Sequence, residues 1–146
     1  MRVCEAMRKN IVIVDEGVSV AEASQNMRKK GEGCAIILRL GKPFGIITER
    51  DVTWKVAGEG LDPKKVKVSE VMSAPLVTID PDADLQEAAK AMKEHKIRRL
   101  AVVRENTLYG VLTAADVSRN LEKYLDDERR NILKYLWMPQ YYSRES

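Results

Sequence analysis

Short apolar runs and one class of amphipathic segment alternate along the chain, and they do so twice. Ile11–Val14 is a run of four apolar residues closed by Asp15-Glu16-Gly17, long enough for a buried strand. Ser19-Val20-Ala21-Glu22 follows and has the form of a capping box, and Val20, Ala23 and Met27 continue at helical spacing, so a helix with one apolar face is predicted. Arg28, Lys29 and Lys30 suit its last turn, and Gly31 suits a left-handed cap. Cys34–Leu38 and Phe44–Ile47 read as two strands of a hairpin turned at Gly41-Lys42-Pro43. A helix from Asp51 to Ala57 ends at Gly58-Glu59-Gly60.

The pattern then repeats with no gap at a spacing of 65 residues. Gly45-Ile46-Ile47-Thr48-Glu49-Arg50-Asp51 returns as Gly110-Val111-Leu112-Thr113-Ala114-Ala115-Asp116. Met7 matches Met72, Val12 matches Val77, Glu22 matches Glu87, and Met27 matches Met92. Leu76–Ile79, Leu100–Val103 and Leu108–Leu112 are the strands of the second copy, with Asp84 as N-cap of its first helix and a final helix predicted from about 114 to about 136. Each unit is therefore β-α-β-β-α, and the class is α/β (α+β). We expect two three-stranded sheets with helices on one side, packed about a pseudo-twofold axis, because a unit of about 60 residues is marginal alone. The divisions are 1–60, a linker at 61–67, 68–125, and an aromatic tail at 126–146.

Composition narrows the function. The chain has 146 residues, is 45% apolar and 32% charged, and carries a net charge of +3 with the signs interspersed. That balance argues against a dedicated nucleic-acid binder. No apolar run approaches a membrane span, and Met1–Glu5 lacks the apolar stretch of a secretory signal, so the expected location is cytoplasmic with no membrane partner. Cys4 and Cys34 sit at non-equivalent places in the repeat and are read as reduced thiols; with a single His and no CxxC pair, a metal site is not expected. Asp80-x-Asp82-x-Asp84 fails as a calcium loop, since Leu85 and Ala91 stand where glycine and glutamate are required. His95 has no suggested nucleophile partner, so no catalytic residue is assigned.

Thr48-x-x-Asp51 and Thr113-x-x-Asp116 carry two readings. Either pair can cap a helix. Either carboxylate can also accept both hydroxyls of a ribose beside a helix N-terminus that favours phosphate.

The doubled Gly-φ-φ-Thr-x-x-Asp motif, with Ile97-Arg98-Arg99-Leu100-Ala101-Val102-Val103 before the second hairpin, resembles a tandem pair of cystathionine-β-synthase (CBS) domains, a Bateman module, from about Val3 to about Leu125. The resemblance implies a non-enzymatic regulatory module that binds AMP, ADP, ATP or S-adenosylmethionine between the repeats and acts as an energy or metabolite sensor for a regulated partner protein. It also implies a homodimer and no required cofactor. Carried over, Thr48 and Asp51 in one cleft and Thr113 and Asp116 in the other would hold ribose. Arg50, Arg98 and Arg99 would meet phosphate, and Val12, Ile46, Val77, Ile97 and Val111 would wall the adenine. Glu32-Gly33-Cys34 would border the Asp116 cleft, and all three arginines would favour the Asp51 cleft. A single-stranded nucleic-acid binder and a purely structural dimerisation module are the alternatives. Tyr124, Tyr135, Trp137, Tyr141 and Tyr142 concentrate the aromatics in the tail, which either packs on its own repeat or supports self-association or partner docking.

Overall fold

The computed structural model describes residues 1–136, with the side chains of Lys123, Leu133 and Leu136 left aside. Trp137, Tyr141 and Tyr142 lie outside the described residues.

The first sheet is β1 (Val12–Asp15), β2 (Cys34–Arg39) and β3 (Lys42–Thr48), with β1 parallel and β3 antiparallel to the central β2. The second sheet repeats this as β4 (Thr78–Ile79), β5 (Arg99–Arg104) and β6 (Thr107–Thr113). β4 has two residues where the apolar run Leu76–Ile79 suggested four. The hairpin turns are Leu40-Gly41 and Glu105-Asn106, all four at positive φ, as a two-residue hairpin of matching twist requires.

Helix α2 (Val20–Lys30) starts as expected: the Glu22 amide donates to Ser19 Oγ at 3.1 Å, and Gly31 closes it in the left-handed region at φ 67°. Its counterpart α5 (Leu85–His95) is capped by Asp84, which accepts from the Glu87 amide at 2.9 Å. Helix α3 (Glu49–Asp51) widens into a π-helical turn over Val52–Ala57, in which the Gly58 amide reaches back five residues to the Thr53 carbonyl.

The period-2 alternation of each sheet divides its two faces. Ala35, Ile37 and Ile47 pack with Val20, Ala23 and Met27 of α2, and Leu100, Val102 and Leu112 pack with Leu85, Ala88 and Met92 of α5. The opposite faces, including Ile36, Ala101, Val111 and part-buried Ile46, meet each other between the repeats. One face of each sheet thus carries helices and the other builds the interface.

Two short helices cross between the units, which the repeat pattern did not reveal. Helix α1 (Val3–Ala6) buries Val3 in the second unit's core, and α4 (Val68–Val71) buries Val68 and Val71 in the first unit's core. The segments after them follow suit. Arg8 exchanges backbone hydrogen bonds with Val111 at 2.8 and 3.0 Å, and Ser73 does so with Ile46 at 3.0 and 2.9 Å.

The single helix expected over 114–136 is broken. Helix α6 (Ala114–Leu121) gives way to a 3-10 turn at Glu122–Tyr124, Leu125 is extended, and α7 (Asp127–Leu136) starts afresh. The Arg129 amide donates to Asp126 Oδ1 at 2.9 Å. A side-chain acceptor in that position competes with helix continuation and starts a new helix.

A candidate ligand cavity between the repeats

Both Thr-x-x-Asp motifs are complete reciprocal caps. The Asp51 amide donates to Thr48 Oγ1 at 3.3 Å, and the Thr48 amide donates to Asp51 Oδ2 at 2.9 Å. The second copy repeats this at 3.1 and 2.9 Å between Asp116 and Thr113. Capping therefore uses one oxygen of each carboxylate.

The other oxygen distinguishes the two copies. Asp51 Oδ1 meets Lys55 Nζ at 3.0 Å. Asp116 Oδ1 meets both Arg8 Nε, at 3.2 Å, and Arg119 Nη2. Asp116 is only 1% exposed, sealed beneath these two guanidinium groups. Arg8 also donates to both oxygens of Glu32 at 3.3 Å. Burial alone would lower the Arg8 pKa; Asp116 and Glu32 outweigh it, and the net shift is upward.

Against this cluster lies a cavity of about 570 Å³, within the range of small-molecule sites. Ile11 and Val111 supply apolar wall, the loop Gly31–Cys34 borders it, and Thr113, Ala114 and Ala115 present the start of α6. Arg8, Arg98, Arg99, Arg119 and Lys134 line it, together with Glu32, Glu49 and Glu122. Among the described residues, the side chains of Arg98, Arg99 and Lys134 have no hydrogen bond or ion pair. Cys34 is an unbonded thiol in the wall. Burial pushes its pKa up to about 11, with Arg99 acting against the shift.

Several expected residues fall elsewhere. Arg98 and Arg99 line this cavity with Thr113, whereas Thr48 and Asp51, with which they were expected, are not among its lining residues. Both project from the start of β5 into the space bordered by Glu32-Gly33-Cys34; a Cβ on Gly33 would stand 2.8 Å from Arg99 Nη2. Arg50 lies outside the cavity, its guanidinium stacked 3.9 Å over the Trp54 ring. Val12 is buried in the α2-side core, and Val77 is partly buried against the α5-side core. Each sits one position away from the cleft face, since successive strand residues point to opposite sides. Ile11 stands in the wall instead. Ile46 belongs to the inter-repeat cluster, and Ile97 packs against the α5 core and lines a shallower depression with Arg98 and Ala114. Lys30 spends its ammonium on the Ile11 carbonyl at 2.8 Å. Arg8, Arg119 and Lys134 were missed. Arg8 arrives through the exchanged segment, and Lys134 through the helix that Asp126 restarts, so linear spacing held no sign of either.

Among the described residues no cluster of His, Cys, Asp and Glu has the form of a metal site, and no helix is long and apolar enough to cross a membrane. His95 Nδ1 lies 3.0 Å from the Ala91 carbonyl at the end of α5.

These features define a pair of β-α-β-β-α repeats with exchanged leading segments and, at their junction, a cavity with apolar wall and a rim of charged side chains. The CBS domain family model matches residues 3–58 and again 68–123, and the chain belongs to that family. It is 35% identical over 123 residues to a Methanopyrus kandleri protein, covering 83% of this chain and 62% of that one. It is 31% identical to the CBS domain-containing protein YhcV of Bacillus subtilis, covering 80% and 82%. Among solved structures, the hexameric CBS-CP12 protein from bloom-forming cyanobacteria superposes with a TM-score of 0.76 at 32% identity, over 81% of this chain and 69% of that one. The CBS domain protein PAE2072 from Pyrobaculum aerophilum, complexed with AMP, shares the fold with a TM-score of 0.72 at 23% identity, over 80% and 89%.

Proposed function

We propose that this CBS pair is a non-enzymatic regulatory module. In this reading it binds an adenine nucleotide (AMP, ADP or ATP) or another adenosyl ligand, S-adenosylmethionine included, and reports occupancy to a partner protein. One observation carries the reading: Arg98 and Arg99, without a protein partner among the described residues, converge on a cavity whose other wall is apolar. Unpaired cations beside low-dielectric walls favour an anion. The AMP complex of the Pyrobaculum relative supports the choice of ligand.

In the proposed arrangement the base lies along Ile11 and Val111, phosphate meets Arg98 and Arg99, and the Thr113 hydroxyl is available to the ribose. Asp116 joins the ribose only if Arg8 and Arg119 yield it. Thr48 and Asp51 are the ribose residues proposed for the opposite cleft. Binding that differs between two arrangements of the repeats would shift their populations, which a partner reads. Self-association is part of this proposal, with Trp54 (61% exposed) and Leu121 (46%) offering apolar area to a second copy. Light scattering checks it.

A thermal-shift series with AMP, ADP, ATP and S-adenosylmethionine tests the core of the proposal. A ligand at a hundred times its Kd stabilises the fold by about 2.7 kcal/mol. At least one nucleotide should raise the midpoint, and Arg98→Ala with Arg99→Ala should remove most of that rise. The complete capping roles of Asp51 and Asp116 favour a rival reading, an interaction scaffold with vacant clefts; it requires that no ligand moves the midpoint.

A further inference from the structure

Lys134 stands outside both matched CBS segments, which end at residue 123, yet it lines the cavity. Its helix is held by the residue one turn earlier. Arg130 Nη2 donates to the Leu125 carbonyl at 2.9 Å, and Arg130 Nε donates to the Glu122 carbonyl at 3.3 Å. Residues four apart share a helix face, so the contact that anchors Arg130 also turns Lys134 towards the cleft. Ile132 and Tyr135 are exposed on the same helix.

The charges in the cavity give Lys134 a specific task. Arg98 and Arg99 enter from the start of β5, whereas Lys134 enters from α7 together with Glu122 of the preceding turn. Glu122 in the lining would repel an anion that approaches it, and Lys134 is the cation that α7 adds to the same lining. Arg8 and Arg119 are committed to Asp116 and Glu32. Lys134, unpaired among the described residues, can form charge-assisted bonds, and a lysine does so as a mobile point charge.

We propose that Lys134 is a selectivity residue for phosphate number: its ammonium takes the second or third phosphate of a nucleoside di- or triphosphate and makes no contact with a monophosphate. This rests on the reading that a nucleotide occupies the cavity. It makes α7, a helix beyond the repeats, part of the ligand site, so that occupancy by longer phosphates fixes the position of the C-terminal segment.

The experiment is calorimetric titration of AMP, ADP and ATP into the full chain and into Lys134→Ala, Lys134→Glu and Lys134→Arg. Lys134 has no hydrogen-bond or ion-pair partner among the described residues, so the ligand-free melting temperatures should agree. For Lys134→Ala the ATP and ADP Kd should rise about tenfold, equivalent to about 1.4 kcal/mol, while AMP stays within about twofold. Lys134→Glu should discriminate further against ATP, and Lys134→Arg should restore it. Wild type that binds these nucleotides, with an ATP-to-AMP ratio that Lys134→Ala leaves unchanged, overturns the role of Lys134 alone. Wild type that binds none of them overturns the nucleotide reading and this inference together.

Discussion

Arg8 Nε lies 3.2 Å from Asp116 Oδ1, a contact between residues 108 apart in sequence. It joins the segment that crosses from the first repeat to the cap of the second repeat's last helix. Among the described residues Asp51 has no such long-range partner; the cation that meets it is Lys55 of the same helical segment. Two motifs that match in sequence therefore sit in different electrostatic settings.

That difference predicts unequal costs. Asp51→Ala removes a cap and one half-exposed ion pair, and should cost about 1.5 kcal/mol. Asp116→Ala removes a cap and strips a buried carboxylate from two arginines, and should cost about 3 kcal/mol. Denaturant melts of the two variants measure this. A double-mutant cycle between Arg8→Ala and Asp116→Ala should return a coupling of about 1 kcal/mol. A coupling near zero would mean that Arg119 alone satisfies the carboxylate.

The exchanged helices place the stability of each unit in the other's leading segment. Val3 is fully buried against Leu85, Ala88 and Met92. Val3→Ala should cost about 2 kcal/mol, and deleting residues 1–8 should cost more. Hydrogen exchange should speed up in α5 before α2 in the deletion variant. Faster exchange in α2 first would contradict the exchange of segments.

Glycines 45 and 110 open matching strands, yet they tolerate a methyl group unequally. A Cβ on Gly110 would land on the Arg8 carbonyl oxygen, with Met7 Sδ at 3.0 Å; a Cβ on Gly45 would meet Met72 Sδ at 2.7 Å and the Ser73 carbonyl at 3.0 Å. The backbone bonds of the crossing segment leave little room at position 110. Gly110→Ala should cost about 2–3 kcal/mol and Gly45→Ala about 1 kcal/mol, within the usual range for overpacking. Thermal melts of the pair read the difference.

Cys34 makes a pH-dependent contribution whose sign follows from burial. The folded protein keeps the thiol protonated up to about pH 11, against an ordinary value of 9.0. Above pH 9 the unfolded chain binds fewer protons at this group than the folded chain, so stability falls as pH rises. Between pH 9 and 11 the loss should be on the order of 2–3 kcal/mol. Comparing wild type with Cys34→Ala over pH 8–11 isolates it from tyrosine and lysine titration. Parallel curves would show that Cys34 ionises no less readily in the folded chain than in the unfolded one.

The amino-acid sequence by itself determined the repeat, the β-α-β-β-α order within each unit, the caps at Ser19 and Asp84, and the two-faced sheets. All of these depend on local geometry: a period of two or 3.6 residues and a side chain within three positions of the amide that it caps. The family follows from the same motif and register. The tertiary structure alone decided which repeat each leading helix stabilises, because Val3 and Val68 are equally apolar and burial does not record its partner. It placed Ile11 in the cavity and turned Val12 to the core, since one residue of strand phase reverses the face. It brought Arg8, the Arg98-Arg99 pair and Lys134 to one space from three separate stretches of chain. Charge attraction acts through distance in space, and distance along the chain carries almost no information about it.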